Sequence, residues 1–123
     1  MQGQKMKVLI VDDNPQMREM TRQFLPASAD EIRECADGAF AFSAYADFLP
    51  DYVLMDWQMK QTDGLTATRE ILKSFPEARV LLVTQFDDAE LRASAAEAGI
   101  QGFISKDNLS ALREILRCDG RAT

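Results

Sequence analysis

The chain has 123 residues, of which 46% are hydrophobic and 28% charged, so its size and composition are those of one globular domain spanning residues 1–123. The formal net charge of −6 and the lack of a basic run argue against a direct nucleic-acid surface. No apolar stretch approaches the roughly 20 residues that span a bilayer, and the first residues lack the apolar core of a signal peptide.

The first predicted strand covers residues 6–11, a nearly continuous apolar run that is typical of a strand buried on both faces. A helix is expected to follow, because Asn14 is a good N-cap and Pro15 suits the first helical position. Apolar residues at helical spacing continue that helix to about Leu25, and Pro26 ends it.

A weaker strand with an alternating pattern over residues 31–36 indicates an edge of the sheet, and a helix over about residues 39–48 follows it. The strand contains Cys35, one of two cysteines. Two cysteines, Cys35 and Cys118, are too few for a disulfide framework, and they do not have CxxC spacing. Free thiols are typical of a reducing compartment, so we expect a cytoplasmic protein.

The second half of the chain repeats the alternation of strand and helix three times. The predicted elements are a strand over residues 52–55, a helix starting at Asp63-Gly64, a strand over 79–83, a helix closed by Gly99, a strand over 102–105 and a helix over about 108–117. Short connections and apolar strands predict a five-stranded parallel sheet with helices on both faces, an α/β fold.

Polar side chains stand at the ends of four predicted strands: Asp12 and Asp13 after the first, Asp56 after the third, Thr84 after the fourth and Lys106 after the fifth. Because the carboxyl ends of parallel strands meet at one edge of a sheet, we expect these side chains to share a site. Any one of them is ordinary loop polarity, and the two leading acids could be plain helix caps paired with the lysine. The full set favours a functional site.

Three carboxylates within a few ångströms of one another repel by about 4 kcal/mol for each close pair at an effective dielectric constant near 20. Either a carboxyl group stays protonated or a cation neutralises the cluster, and oxygen-only ligands suit Mg²⁺. Such a site also suits phosphoryl transfer onto a carboxylate. Asp56 would attack in line, Lys106 and the metal would neutralise the equatorial oxygens, and Thr84 could donate a hydrogen bond.

Four segments in this order and spacing form a specific set: residues 8–13 with the acid pair, 55–59 with Asp63-Gly64, 82–84 and 98–106. Through them the chain resembles the receiver domain of two-component response regulators over essentially its whole length. The resemblance implies a (βα)5 doubly wound, flavodoxin-like fold, as in chemotaxis regulators, with strand order 2-1-3-4-5. The pair Lys106-Asp107 resembles the LuxR-type subgroup, whose receivers usually precede a DNA-binding helix-turn-helix.

The resemblance also implies that Asp56 is phosphorylated by the phosphohistidine of a sensor kinase or a phosphotransfer protein. Mg²⁺ would be held by four ligands: the carboxylates of Asp12, Asp13 and Asp56 and the backbone carbonyl of Gln58. Thr84 and Phe103 would form a switch pair that couples the phosphoryl group to the face of helix four, strand five and helix five. An output partner would bind that face, or a phosphorylation-dependent homodimer would form there. The domain would be a switch rather than an enzyme.

Two residues depart from the family's usual pattern. Lys60 stands where a proline is usual, and Gln85 stands where a small residue is usual. Together with Gln58 and Phe86 they are expected to modulate access to Asp56, although neither departure removes a reacting group.

Two other functions stay open at this point. A degenerate receiver would act as a binding module whose surface is fixed without phosphorylation. A Mg²⁺-dependent phosphohydrolase acting through an aspartyl phosphate would need an acid two residues after its nucleophile, where this chain has Asn14. The kinase surface is equally open, because a solvated helix face has the same pattern as the expected contact positions: Gln16, Arg18, Glu19 and Arg22. The sequence also leaves open whether the chain is a stand-alone regulator or a piece of a longer one.

Overall fold

The computed structural model describes residues 6–86 and 88–117. Within these residues five strands alternate with five α-helices: β1 (Met6–Val11), α1 (Pro15–Gln23), β2 (Ala29–Cys35), α2 (Ala41–Phe48), β3 (Tyr52–Asp56), α3 (Gly64–Ser74), β4 (Val80–Thr84), α4 (Ala89–Ala98), β5 (Gly102–Ser105) and α5 (Ala111–Arg117). None of the described helices has the length and apolarity that a membrane span requires. Cys35 is a buried free thiol, whereas Cys118 lies outside the described residues.

All five strands are parallel in one sheet of order β2-β1-β3-β4-β5, which confirms the predicted α/β fold. The strand order reverses between β1 and β3, so the loops that follow these two strands diverge to opposite faces and leave a crevice between them. In the register of the sheet Val11 lies opposite Met55, and Thr84 lies opposite Ser105. The residues that follow these pairs are therefore brought to one rim.

The sheet separates two apolar cores, because successive strand residues point to opposite faces. Leu9 and Val11 of β1 face a core formed with α2, α3 and α4. Val8 and Ile10 face the other core, which is closed mainly by α5 and by partly buried side chains of α1. Both faces of the central strands are thus covered, which explains their unbroken apolar sequences.

Several element ends differ from those predicted, and local hydrogen bonds explain most of them. α1 ends at Gln23 rather than near Leu25, because the N–H of Phe24 bonds to the carbonyl of Thr21 and tightens the last turn. α5 begins at Ala111 rather than near residue 108. There the Ser105 hydroxyl accepts the N–H of Asp107 at 3.1 Å and starts a 3-10 turn over Lys106–Asn108.

The end of β2 and the start of α2 differ in the same way. β2 runs from Ala29 to Cys35. It begins two residues before the predicted start at residue 31 and ends one residue before the predicted end at residue 36. The helix predicted from about residue 39 starts as a 3-10 turn over Gly38–Phe40, capped by the side chain of Asp37, and becomes α-helical at Ala41. The position of β2 at the edge of the sheet is as expected, since among the described strands it pairs with β1 alone.

Candidate functional site

The carboxyl ends of β1, β3, β4 and β5 surround a cavity of about 310 Å³. The residues that line it come from four strand ends, the loops after them and the first turn of α1: Asp12, Asp13, Asn14, Met17, Asp56, Gln58, Thr84, Gln85, Phe86 and Lys106. The five strand-end residues identified from the sequence are all among them. Parallel register, rather than any local motif, brings them together.

Three carboxylates form the floor and one side of this cavity. One oxygen each from Asp12, Asp13 and Asp56 lies within 4.8 Å of the others. Asp12 and Asp56 are buried, with 4% and 6% of their surface exposed, whereas Asp13 is half-buried. Ligands of an octahedral Mg²⁺ ion are about 3 Å apart when adjacent and about 4.2 Å apart when opposite, so oxygens separated by up to 4.8 Å must draw together around the ion. The donor set and its spacing fit a small, hard divalent cation.

Lys106 supplies positive charge to the same cluster. Its ammonium Nζ lies 2.9 Å from Asp56 Oδ1 and 3.6 Å from Asp12 Oδ2, and its side chain is only 16% exposed. The 3-10 turn after β5 starts at this lysine and directs it across the ends of β4 and β3. The cluster therefore carries one internal counter-charge against three carboxylates.

Burial dominates the acid–base behaviour of the two buried acids. Desolvation raises the pKa of Asp56 to about 6; the hydrogen bond from Lys106 opposes that rise, and the charge of Asp12 adds to it. Burial also raises the pKa of Asp12, although its Oδ1 accepts the backbone N–H of Asn14 at 2.9 Å. Asp56 is therefore mainly ionised at neutral pH and becomes protonated in mildly acidic solution.

Thr84 connects the cavity to the loop after β4. Its hydroxyl is buried and accepts the N–H of Phe86 at 3.1 Å. The ring of Phe86 in turn meets Trp57 edge-on, with ring centroids 5.5 Å apart and planes at 81°. A change in the position of the Thr84 hydroxyl would therefore be felt by the aromatic contact that joins the loops after β3 and β4.

The residues expected to modulate access divide into two groups. Gln58, Gln85 and Phe86 line the cavity and are exposed at its mouth. Lys60 is exposed and stands apart from the lining residues. Any effect of Lys60 would have to act through the loop and not through contact with an incoming group.

Phe103 lies on β5 beside β4, where it pairs with Leu82, two residues before the Thr84–Ser105 pair. Its ring is half-buried, and the guanidinium of Arg92 on α4 stacks 4.4 Å from the ring centroid. A groove of about 200 Å³ between α4 and β5 adjoins both side chains. Phe103 is thus near Thr84 in the sheet but packs outward against α4.

One of the four positions assigned to an exposed face of α1 was wrong. Gln16, Glu19 and Arg22 are exposed, but the side chain of Arg18 is only 17% exposed. It donates to the backbone carbonyl of Asp12 at 2.7 Å and to the carboxylate of Glu34 at 2.8 Å. Helical periodicity alone could not place it, because its acidic partner comes from β2.

Comparison with known proteins supplies a family. The sequence profile described as the response regulator receiver domain matches residues 8–117. The transcriptional regulatory protein LnrK of Bacillus subtilis is 36% identical over 103 residues, which are 82% of this chain and 47% of LnrK. The chain thus spans about half the length of the curated relatives it matches.

Two solved structures resemble the fold closely. A two-component response regulator of the LuxR family from Aurantimonas sp. SI85-9A1 has a TM-score of 0.81 and 28% identity over 94% of this chain and 83% of that one. The receiver domain of the histidine kinase CKI1 from Arabidopsis thaliana, complexed with Mg²⁺, has a TM-score of 0.76 and 27% identity, covering 91% of this chain and 90% of that one.

Proposed function

The chain belongs to the receiver domains of response regulators, with LuxR-type relatives as its motifs predicted, and on this premise we propose that it is a phosphorylation-controlled signalling switch. Asp56 accepts a phosphoryl group from the phosphohistidine of a sensor histidine kinase or a phosphotransfer protein. One observation carries the proposal: the buried Asp56 carboxylate is 2.9 Å from Lys106, and one of its oxygens lies within 4.8 Å of one oxygen each of Asp12 and Asp13.

The residues around Asp56 have distinct tasks in this reaction. The ionised Asp56 carboxylate attacks phosphorus as the bond from phosphorus to the donor imidazole nitrogen breaks, and the imidazole keeps the electron pair. Lys106 neutralises charge on the phosphoryl oxygens, and the Thr84 hydroxyl donates a hydrogen bond to one of them. Bound by the carboxylates of Asp12, Asp13 and Asp56 and the carbonyl of Gln58, Mg²⁺ would supply further positive charge to these oxygens.

Phosphorylation reaches the surface through the switch pair, Thr84 and Phe103. The Thr84 hydroxyl moves from the N–H of Phe86 toward the phosphoryl oxygens, and the Phe103 ring rotates into the space that this movement opens. The change alters the face formed by α4, β5 and α5. A ligand shifts such an equilibrium only by its differential interaction with the two states, so partners of this face must prefer one ring position.

The partners follow from this scheme. The kinase or phosphotransfer protein meets the exposed face of α1, at Gln16, Glu19 and Arg22. An output protein or domain, or a second copy of the chain, meets the face of α4, β5 and α5. The chain acts in the cytoplasm as a single receiver domain over residues 1–123. It does not contact nucleic acid itself, and it catalyses no turnover beyond its own phosphorylation and dephosphorylation.

The assignment of Asp56 is tested by phosphorylation with acetyl phosphate in millimolar Mg²⁺, followed by intact-mass spectrometry. We expect the wild-type chain to gain one phosphoryl group and Asp56→Asn to gain none, because the substitution removes the nucleophilic oxygen. Asp63→Asn is the matched control: Asp63 caps α3 through the N–H of Thr66, and asparagine caps equally well.

Labelling of Asp56→Asn would contradict the phosphoacceptor assignment. A wild-type chain that takes no phosphoryl group would instead indicate a binding module with a fixed surface. Turnover of an added phosphomonoester would indicate a hydrolase. The structure offers that reaction little support, since the Asn14 side chain is engaged in capping α1 through the N–H groups of Gln16 and Met17.

A further inference from the structure

Arg18 links three elements at the edge of the acid cluster. Its Nη1 donates to the backbone carbonyl of Asp12 at 2.7 Å, and its Nε donates to Glu34 Oε1 on β2 at 2.8 Å. The second oxygen of Glu34 is held by Arg22 at 3.2 Å, one helical turn further along α1. The planar guanidinium suits this arrangement, because its donors are fixed in a fork and can serve two acceptors at once.

Asp12 is the residue that these contacts hold in place. Its N–H donates to the carbonyl of Cys35 at 3.0 Å, and its Oδ1 accepts the N–H of Asn14 at 2.9 Å. With the bond from Arg18, both backbone polar groups and one carboxylate oxygen are engaged. The other carboxylate oxygen, Oδ2, faces Lys106 at 3.6 Å. The peptide and side chain of Asp12 are therefore fixed on every side except the one that faces the cavity.

The contacts of Arg18 support the end of β1 next to the edge strand β2. Among the described strands β2 pairs with β1 alone, so the end of β1 is supported on one side by a strand that has no outer neighbour within residues 6–86 and 88–117. Arg18 adds a link from α1 across to Glu34 and down to the Asp12 peptide. Its side chain is 17% exposed and its bond to the Asp12 carbonyl is partly buried, which strengthens that bond, whereas the bond to Glu34 is exposed to water.

We propose that Arg18 is a positioning residue for divalent-cation binding, which it favours by fixing the Asp12 carboxylate. The inference rests on the proposed cation site but concerns a residue outside it. Groups that orient metal ligands change metal affinity by tenfold to a hundredfold when they are removed. We therefore expect Arg18→Met to weaken Mg²⁺ binding on the order of tenfold, because Asp12 must then be ordered at the moment of binding.

Isothermal titration calorimetry with Mg²⁺ alone tests this, with Arg33→Met as the matched control. Arg33 lies on β2 and, like Arg18, pairs with an acid, Asp47, at 2.7 Å, but it does not contact Asp12 in any of the hydrogen bonds or ion pairs of the described residues. We expect the control to bind Mg²⁺ as the wild type does. Glu34→Gln keeps an acceptor for Arg18 but loses the charge, so its affinity should fall between those of wild type and Arg18→Met.

A second readout separates positioning from general damage. At saturating Mg²⁺ the rate of phosphorylation of Arg18→Met by acetyl phosphate should return close to the wild-type rate, since the cation then orders Asp12. If Arg18→Met does not fold, Arg18→Lys takes its place, because lysine lacks the separate Nε and Nη1 donors that reach Glu34 and the Asp12 carbonyl, and it should also weaken binding.

Wild-type affinity in the folded Arg18 variant would overturn the inference and leave the cation site intact. A rate that stays low at saturating Mg²⁺ would also overturn it, in favour of a structural role. A wild-type chain that binds no Mg²⁺ would defeat the proposed function itself, so the two failures are distinguishable.

Discussion

At Asp56 burial and charge act on one carboxyl group in opposite directions. Burial raises its pKa to about 6 although the Lys106 ammonium is only 2.9 Å away. Ionising this group therefore costs free energy that the ion pair does not fully restore. This free-energy cost is consistent with a nucleophile, because a cation or phosphoryl group that enters the cavity stabilises a poorly solvated carboxylate.

The sign of the resulting pH dependence follows from linkage. A carboxyl group whose pKa is raised on folding contributes stability below its unfolded pKa, and that contribution is lost as the pH rises through the folded value. For Asp56 the window runs from 3.8 to about 6, and the loss across it is about 3 kcal/mol. We expect Asp56→Asn to raise the free energy of unfolding of the metal-free protein at mildly alkaline pH.

This stabilisation should shrink in mildly acidic solution, where the wild-type carboxyl group is protonated and neutral as well. Urea unfolding of both proteins with a chelator, at several pH values, measures the difference, in which titrating groups that do not interact with Asp56 cancel. A difference that does not change with pH would show that burial does not raise the pKa of Asp56.

The strand-end acids, Thr84 and Lys106 could be found from the sequence because each lies at or just after the end of a recognisable strand, and parallel strands end at one rim. The role of Arg18 could not be found from the sequence. Its environment depends on Glu34, 16 residues away on an edge strand whose exact register the alternating pattern does not fix. Helical spacing predicted exposure, and a tertiary ion pair overrode it.

At the level of elements, the junction between β3 and α3 depends on a glycine. The N–H of Gly64 donates to the carbonyl of Trp57 at 2.8 Å and closes the loop that carries Gln58 and Lys60. A Cβ at this position would collide with the backbone carbonyl of Asp56 and lie 2.9 Å from Met55 Cγ. The first turn of α3 is therefore packed directly against the strand end that holds the proposed phosphoacceptor.

We expect Gly64→Ala to lower the free energy of unfolding by about 2 to 4 kcal/mol, since the obstacle is backbone and cannot turn aside. Gly102→Ala is the matched control: its Cβ would meet only Leu81 Cδ2, at 2.7 Å, the mobile end of a side chain. Urea unfolding of the two variants measures the contrast. Equal losses would mean that the contact with β3 is easily relieved.

Element boundaries were predictable to the extent that side chains mark them locally. β1 has the predicted bounds, because an apolar run ends abruptly at two acids. α5 begins later than predicted because Ser105 caps a 3-10 turn, and serine before a polar segment does not distinguish that turn from the start of an α-helix. Among the strands, β2 at the edge of the sheet was the least well placed, since its half-exposed sequence carries a weak pattern.

For the whole molecule, the question is how the rim communicates with the face of α4, β5 and α5. The Phe103 ring is held on the outer side by the Arg92 guanidinium, 4.4 Å from its centroid. An exposed contact of this kind is worth about 0.5 to 1 kcal/mol. Arg92 therefore favours the outward ring position, and the proposed phosphorylation works against it.

We expect Arg92→Ala to increase the apparent affinity for beryllofluoride with Mg²⁺, a mimic of the phosphoryl group, by up to about fivefold, because the outward state loses about 1 kcal/mol. The midpoint of a beryllofluoride titration followed by the NMR signals of Phe103 measures it. Arg79→Ala is the control, since Arg79 stacks on Tyr52, at 5.5 Å, at the opposite end of the sheet. An unchanged midpoint in Arg92→Ala would mean that the stacking does not bias the ring.

The position of Lys106 has one more consequence for the molecule at rest. Its ammonium is a cation tethered to the chain, so its presence beside Asp12 and Asp56 does not depend on the ions in the surrounding solution. A divalent ion that enters the acid cluster must therefore share the carboxylates of Asp12 and Asp56 with the Lys106 ammonium. Asp12 and Asp56 therefore keep a positive neighbour when magnesium is absent, and Lys106 offsets part of the cost of burying their charges.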